Sequence, residues 1–165
     1  MVVQLLFVLF CAGVLLSSTE GQNDFSKLPD LYKTGVELAL KQVNSHASVQ
    51  QHFLFFKSLS KSDVDAGFGV MYVYHHFLAR ATKCLRGTVD ADYMKCAFRN
   101  DRPLIDCGIC YKTFGGQIEE EPKPFIDCVY KPKLTQGIKT SRVQHCSKMS
   151  YSSGSASILL VRGSQ

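Results

Sequence analysis

The chain contains no tryptophan, so no loop of it can use an indole as an anchor. It has no Gly-x-Ser-x-Gly, His-Glu-x-x-His or P-loop pattern, and the enzyme classes built on those motifs lose their sequence support. Histidines and acidic residues are scattered without a shared local frame, so no catalytic residue is assigned and no enzyme is expected. No Asn-x-Ser/Thr triplet occurs, and N-glycosylation is not expected. No Lys or Arg precedes Lys27, and no second long apolar run follows the first. No cysteine lies between Cys11 and Cys84, so the first half must fold by burial and not by sulfur.

What is there begins with "MVVQLLFVLFCAGVLLSSTEGQ". The apolar core runs from Val2 to Leu16 with only Gln4 inside it. That is shorter than the ~20 residues of a spanning helix. Thr19 and Gly21 stand three and one residues before a possible cut. The segment resembles a secretory signal, residues 1–21, processed after Gly21. A secreted, extracellular protein follows, with a domain over 22–146 and a flexible tail over 147–165. No membrane insertion is expected once the signal is gone.

Cleavage removes Cys11 and leaves Cys84, Cys96, Cys107, Cys110, Cys128 and Cys146. Six cysteines in a secreted domain imply three disulfides. Cleavage also removes Glu20, so 19 basic residues face 13 acidic ones. A moderately basic domain favours acidic partners such as glycosaminoglycans. Lys131, Lys133, Lys139 and Arg142 form the candidate patch. No metal, cofactor or nucleic acid is expected.

Along the chain, Leu28, Leu31, Tyr32, Val36, Ala39, Leu40 and Val43 recur at the spacing of one helix face. Ser26 is the expected N-cap, with Pro29 in the first turn. Gly35 falls inside the apolar arc, where a glycine costs ~1 kcal/mol against alanine. Close approach of another backbone would explain it. Helical periodicity then stops. Residues 49–60 read as a strand, 60–69 as a turn, and 70–84 as a long central strand. Residues 85–103 read as an excursion. "LIDCGICYKTF" and "PFIDCVYKPK" read as two more strands around a Gly-rich, acidic loop, and "KTSRVQHCSKMS" as a final edge strand. One helix followed by four or five antiparallel strands is an α+β arrangement.

The pair Cys107-x-x-Cys110 admits zinc, thiol exchange or two separate disulfides. Zinc wants a second CxxC or a histidine pair at ligand spacing. His75 and His76, adjacent on a strand, point to opposite faces. Redox chemistry wants the pair at a helix N-terminus, and here it sits in a strand-like run. Residues i and i+3 on a strand also face opposite ways, so Cys107 and Cys110 should reach different partners. Cys84 and Cys96 bracket a local loop, whose closure is worth roughly 3 kcal/mol. Cys128 can face Cys107 across a hairpin, which leaves Cys110 for Cys146.

A helix with a buried-side Gly, "GVELALKQVNSHA", and a strand ending at a cysteine, "GVMYVYHHFLARATKC", are similar to the cystatin superfamily. The third bridge, through the CxxC, resembles the chemerin (retinoic acid receptor responder) family within it. The resemblance covers roughly Leu28 to Cys146. It implies a curved sheet gripping the helix, and a secreted precursor activated by serine-protease trimming beyond the last cysteine. The freed C-terminus would enter a G-protein-coupled chemoattractant receptor. On that reading Ile158, Leu159, Leu160 and Val161 are the receptor-binding plug and Arg162 the processing site. The cystatin role, cysteine-protease inhibition, is the alternative. Its Gln-x-Val-x-Gly hairpin corresponds here to Asp63-Val64-Asp65-Ala66-Gly67, with charge where a neutral loop must desolvate. A cationic host-defence role has little to work with, since only Lys148 and Arg162 are basic after Cys146.

Overall fold

The structure, a computed structural model, describes residues 24–87 and 93–151, and of Tyr151 only the backbone. The periodic segment forms helix α1, Asp30–Ser45. Val36 and Ala39 on its inner face are completely buried. Pro29, not Ser26, occupies the N-cap, and no side chain caps that end. At the other end Arg86 donates to the carbonyls of Ser45 and His46, at 3.2 and 2.7 Å. That satisfies orphan acceptors and places a cation at the negative end of the helix dipole. Asn44 clasps Phe53, donating to its carbonyl and accepting from its N–H.

Gly35 is required by a side chain and not by a backbone. A Cβ there would meet the Tyr111 ring, with Cζ 2.7 Å away. The phenol lies across the helix and donates to the Leu31 carbonyl at 2.5 Å.

Strands β1 (Gln51–Gly67) and β2 (Val70–Leu85) form a long antiparallel hairpin. β1 outruns the expected residues 49–60, because 61–67 continue the ladder as far as Gly67 opposite Val70. Four register shifts interrupt the pairing. Such irregularities bend and twist a ribbon, which lets it wrap α1. β3 (Ile105–Phe114) pairs with β2, and the short β4 (Gln117–Ile118) and β5 (Phe125–Tyr130) both pair with β3. Residues 97–99 lie against the far end of β2, with Lys83 N–H donating to Ala97 and Arg99 N–H to Ala81.

The last element corrects the expected edge strand. Residues 136–151 form helix α2, Gln136–Tyr151, which runs five residues past the expected tail boundary at Cys146. Its inward positions are Arg142, Cys146, Met149 and Ser150, all buried. They recur at helical spacing, but only Met149 is an ordinary apolar residue, so hydrophobic periodicity carries no trace of the helix.

The sheet thus has two covered faces. Against α1 pack Phe55, Val73, Phe77, Ile109 and Tyr111. Tyr72, Cys110, Cys146 and Met149 form a smaller cluster under α2. Each fully buried aromatic or aliphatic side chain contributes about 1.5–3 kcal/mol.

Candidate functional site

The structure pairs Cys84 with Cys96, Cys107 with Cys128 and Cys110 with Cys146, the three expected bridges. Cys107 faces Cys128 in register across β3 and β5 and belongs to the core beneath α1. Cys110, three residues on, belongs to the cluster under α2. The strand pleat sends the two sulfurs to opposite faces. Three disulfides fit an extracellular protein.

Cys110–Cys146 is one of two devices that hold α2. The other is polar. Arg142, 3% exposed, donates through Nη1 to Asp106 Oδ1 at 2.5 Å and through Nε to Asp127 Oδ2 at 2.6 Å. Its Nη2 donates to the carbonyls of Asp106 and Asp127, at 3.0 and 3.1 Å. His76 Nε2 lies 2.9 Å from the same Asp106 oxygen. Gly108 makes room: a Cβ there would meet Arg142 Cδ at 2.8 Å. Burial alone would raise the Asp106 pKa, but hydrogen bonds and charge from His76 and Arg142 outweigh it and hold the carboxyl below its usual value. Phe125 and His145 stack at 4.4 Å beside the clamp. The helix is fixed by one bridge and one guanidinium more than by apolar area, and its described span reaches Tyr151.

A second feature lies where β1 turns into β2. The tip is Gly67-Phe68-Gly69, all three with positive φ. Phe68 is 99% exposed. Gly115 N–H donates to the Gly69 carbonyl at 3.0 Å, which ties this tip to the β3–β4 turn, where Phe114 is 56% exposed. One edge therefore shows two aromatic rings on joined hairpins. This changes the reading of residues 63–67. Asp63 and Asp65 lie in the ladder and not at the tip. Asp63 accepts from the Tyr32 hydroxyl, and Asp65 accepts from Gly67 N–H at 2.8 Å. Burial first, then the Asp63 bond and charge, push the Tyr32 hydroxyl well above its ordinary pKa.

The remaining expected positions divide. Gly21, Ile158, Leu159, Leu160, Val161 and Arg162 lie outside the described residues. Of the expected basic patch, Lys131, Lys133 and Lys139 are exposed, but Arg142 is buried in the clamp and unavailable to a polyanion. His75 and His76 separate as expected: His75 packs edge-on against Tyr32 under α1, and His76 reaches Asp106 on the other face. Among the described residues no group of three or more His, Cys, Asp or Glu is placed to hold a metal, and no helix is long and apolar enough to cross a membrane.

Sequence reading missed the clamp and both exposed phenylalanines. Signals for them exist. Ile-Asp-Cys occurs twice, at 105–107 and 126–128. Pairing Cys107 with Cys128 throws both preceding aspartates onto the opposite face, together. Gly-Phe-Gly marks a ring on a tip, because only the glycines take positive φ without cost. Neither a scan against protein-family models nor a search of curated proteins finds a match to this chain.

Proposed function

We propose that this protein is a secreted, non-enzymatic signalling ligand of the chemerin type. It is released as a precursor, trimmed by a serine protease near its C-terminus, and read by a G-protein-coupled chemoattractant receptor. The observation that supports the reading is the anchorage of α2. A disulfide and a buried guanidinium fix the helix to the sheet as far as Met149 and Ser150, and the chain then continues for fourteen residues with Ile158–Val161 followed by Arg162. A rigid base lowers the ordering cost of presenting a terminal segment to a receptor cavity. The test compares mature protein ending at Gln165, Arg162 or Val161 on cells bearing chemoattractant receptors. Calcium flux or migration from a trimmed form, with little from the full chain, supports the reading. Silence from every form defeats it.

A second reading, cysteine-protease inhibition, is favoured by the joined hairpin edge. Phe68 and Phe114 offer apolar area at an edge where the sequence alone suggested charge. Inhibition of papain that weakens on Phe68→Ala would support it. Papain left fully active by the intact protein would remove it.

A further inference from the structure

Basic residues gather at the end of the sheet farthest from the Gly67–Gly69 tip. Ala79, Ile105 and Tyr130 pair across β2, β3 and β5. Beyond that level stand Lys83, Arg102, Lys131 and Lys133, all exposed, and Lys95, exposed but with a protein interaction of its own. Arg86 and Arg99 are there too, but are committed to protein partners. Arg86 holds the α1 carbonyls, and Arg99 donates to both Asp101 oxygens, at 2.8 and 2.5 Å. Among the described residues the acidic one at this end is Asp101; Asp90 and Asp92 lie in 88–92, outside the described residues. The tip end is the reverse, with Asp63, Asp65, Glu119, Glu120 and Glu121 against Lys61, Lys112 and Lys123. The charge is polarised along the sheet.

Backbone pairing draws these exposed cations together. Lys83 N–H donates to Ala97 at 2.9 Å, which sets Lys83 beside the run that starts at Lys95. Lys131 N–H donates to Leu104 at 2.8 Å, which sets the Lys131–Lys133 turn beside Arg102. Residues 95–104 join the two groups, a segment whose reach fully extended is about 33–36 Å.

We infer that this end of the sheet binds a linear sulfated polysaccharide of the heparan sulfate kind. The cations sit on separate short elements along a strip, which suits charges repeated along an extended chain. Three disulfides fit an extracellular protein, whereas anionic lipid surfaces belong chiefly to the cytoplasmic leaflet. The site differs from the patch expected from sequence, keeping Lys131 and Lys133 but not Arg142. It stands independently of the receptor reading and would concentrate the protein on cell surfaces whatever its tail does.

The test is heparin binding by the full mature chain, titrated at several salt concentrations. Arg102→Ala/Lys131→Ala/Lys133→Ala is expected to weaken binding at least about tenfold and to lower the log–log salt slope by about one per cation removed. Its thermal midpoint should not move, since all three side chains are exposed. Lys148→Ala on α2 should change affinity less than about twofold, since Cys110–Cys146 sets that part of α2 toward the tip. Desulfated heparin should not bind. Equal affinity of the triple variant and wild type overturns the inference. So does retention on desulfated heparin, or tighter binding to phosphatidylserine vesicles or single-stranded DNA than to heparin.

Discussion

Arg142→Met is the most informative single perturbation of this molecule. Asp106 is 2% exposed, and its carboxylate has two cationic or polar partners, Arg142 and His76. Methionine preserves much of the arginine's volume but leaves Asp106 buried with His76 alone, and frees two backbone carbonyls that Arg142 Nη2 had satisfied. Breaking one side of a buried ion pair costs about 3–5 kcal/mol. The cost falls first on α2, because the α1-side core does not include it. Cys110–Cys146 keeps the loosened helix tethered. Urea unfolding with disulfides intact should show the loss, and amide exchange should accelerate across 136–151 before it does in β2 and β3. Adding Asp106→Asn should recover part of the loss, since a neutral amide costs less to bury than an unpaired carboxylate. A loss below about 1 kcal/mol, or a double variant weaker than Arg142→Met alone, would refute the clamp as the element that docks the helix.

Other outcomes are expected elsewhere. His75 is fully buried, with Ser58 Oγ 2.8 Å from Nε2, and burial first, then Lys61 and His76, hold its pKa down to about 3. An unfolded histidine takes up its proton near 6.5, so stability present above that pH falls by up to about 1.4 kcal/mol per pH unit toward the folded value. His75→Gln should flatten the stability profile between those limits, as followed by urea midpoints, and an unchanged slope would exclude His75 as its source. Gly35→Ala should destabilise by about 1–3 kcal/mol through the clash with Tyr111, although alanine favours helix. A gain in thermal midpoint would mean that the ring moves freely aside. Phe68→Gly should raise stability by about 1 kcal/mol by relieving φ +55, and a clear loss would show that the exposed ring packs on something after all. Cys84→Ser/Cys96→Ser should cost roughly 3 kcal/mol in denaturant unfolding, and a negligible change would mean that the loop closes without its bridge.

The amino-acid pattern alone carried α1, the central hairpin, the α+β class and the three sulfur pairings. Each rests on a local rule. Leu28 to Val43 keep a helix period, β2 alternates, and residues 107 and 110 must diverge on a pleated strand. What only the folded chain decided is α2, the hairpin tips and the clamp. Arg142, Cys146, Met149 and Ser150 give no apolar stripe, so 136–151 becomes a docked helix only once Asp106 and Asp127 are brought side by side by strand register. Phe68 reads as one more apolar residue until flanking glycines at positive φ lift it into solvent. Local periodicity reports which face of an element is dry. It does not report a charge that is buried because its partners arrive from two other strands.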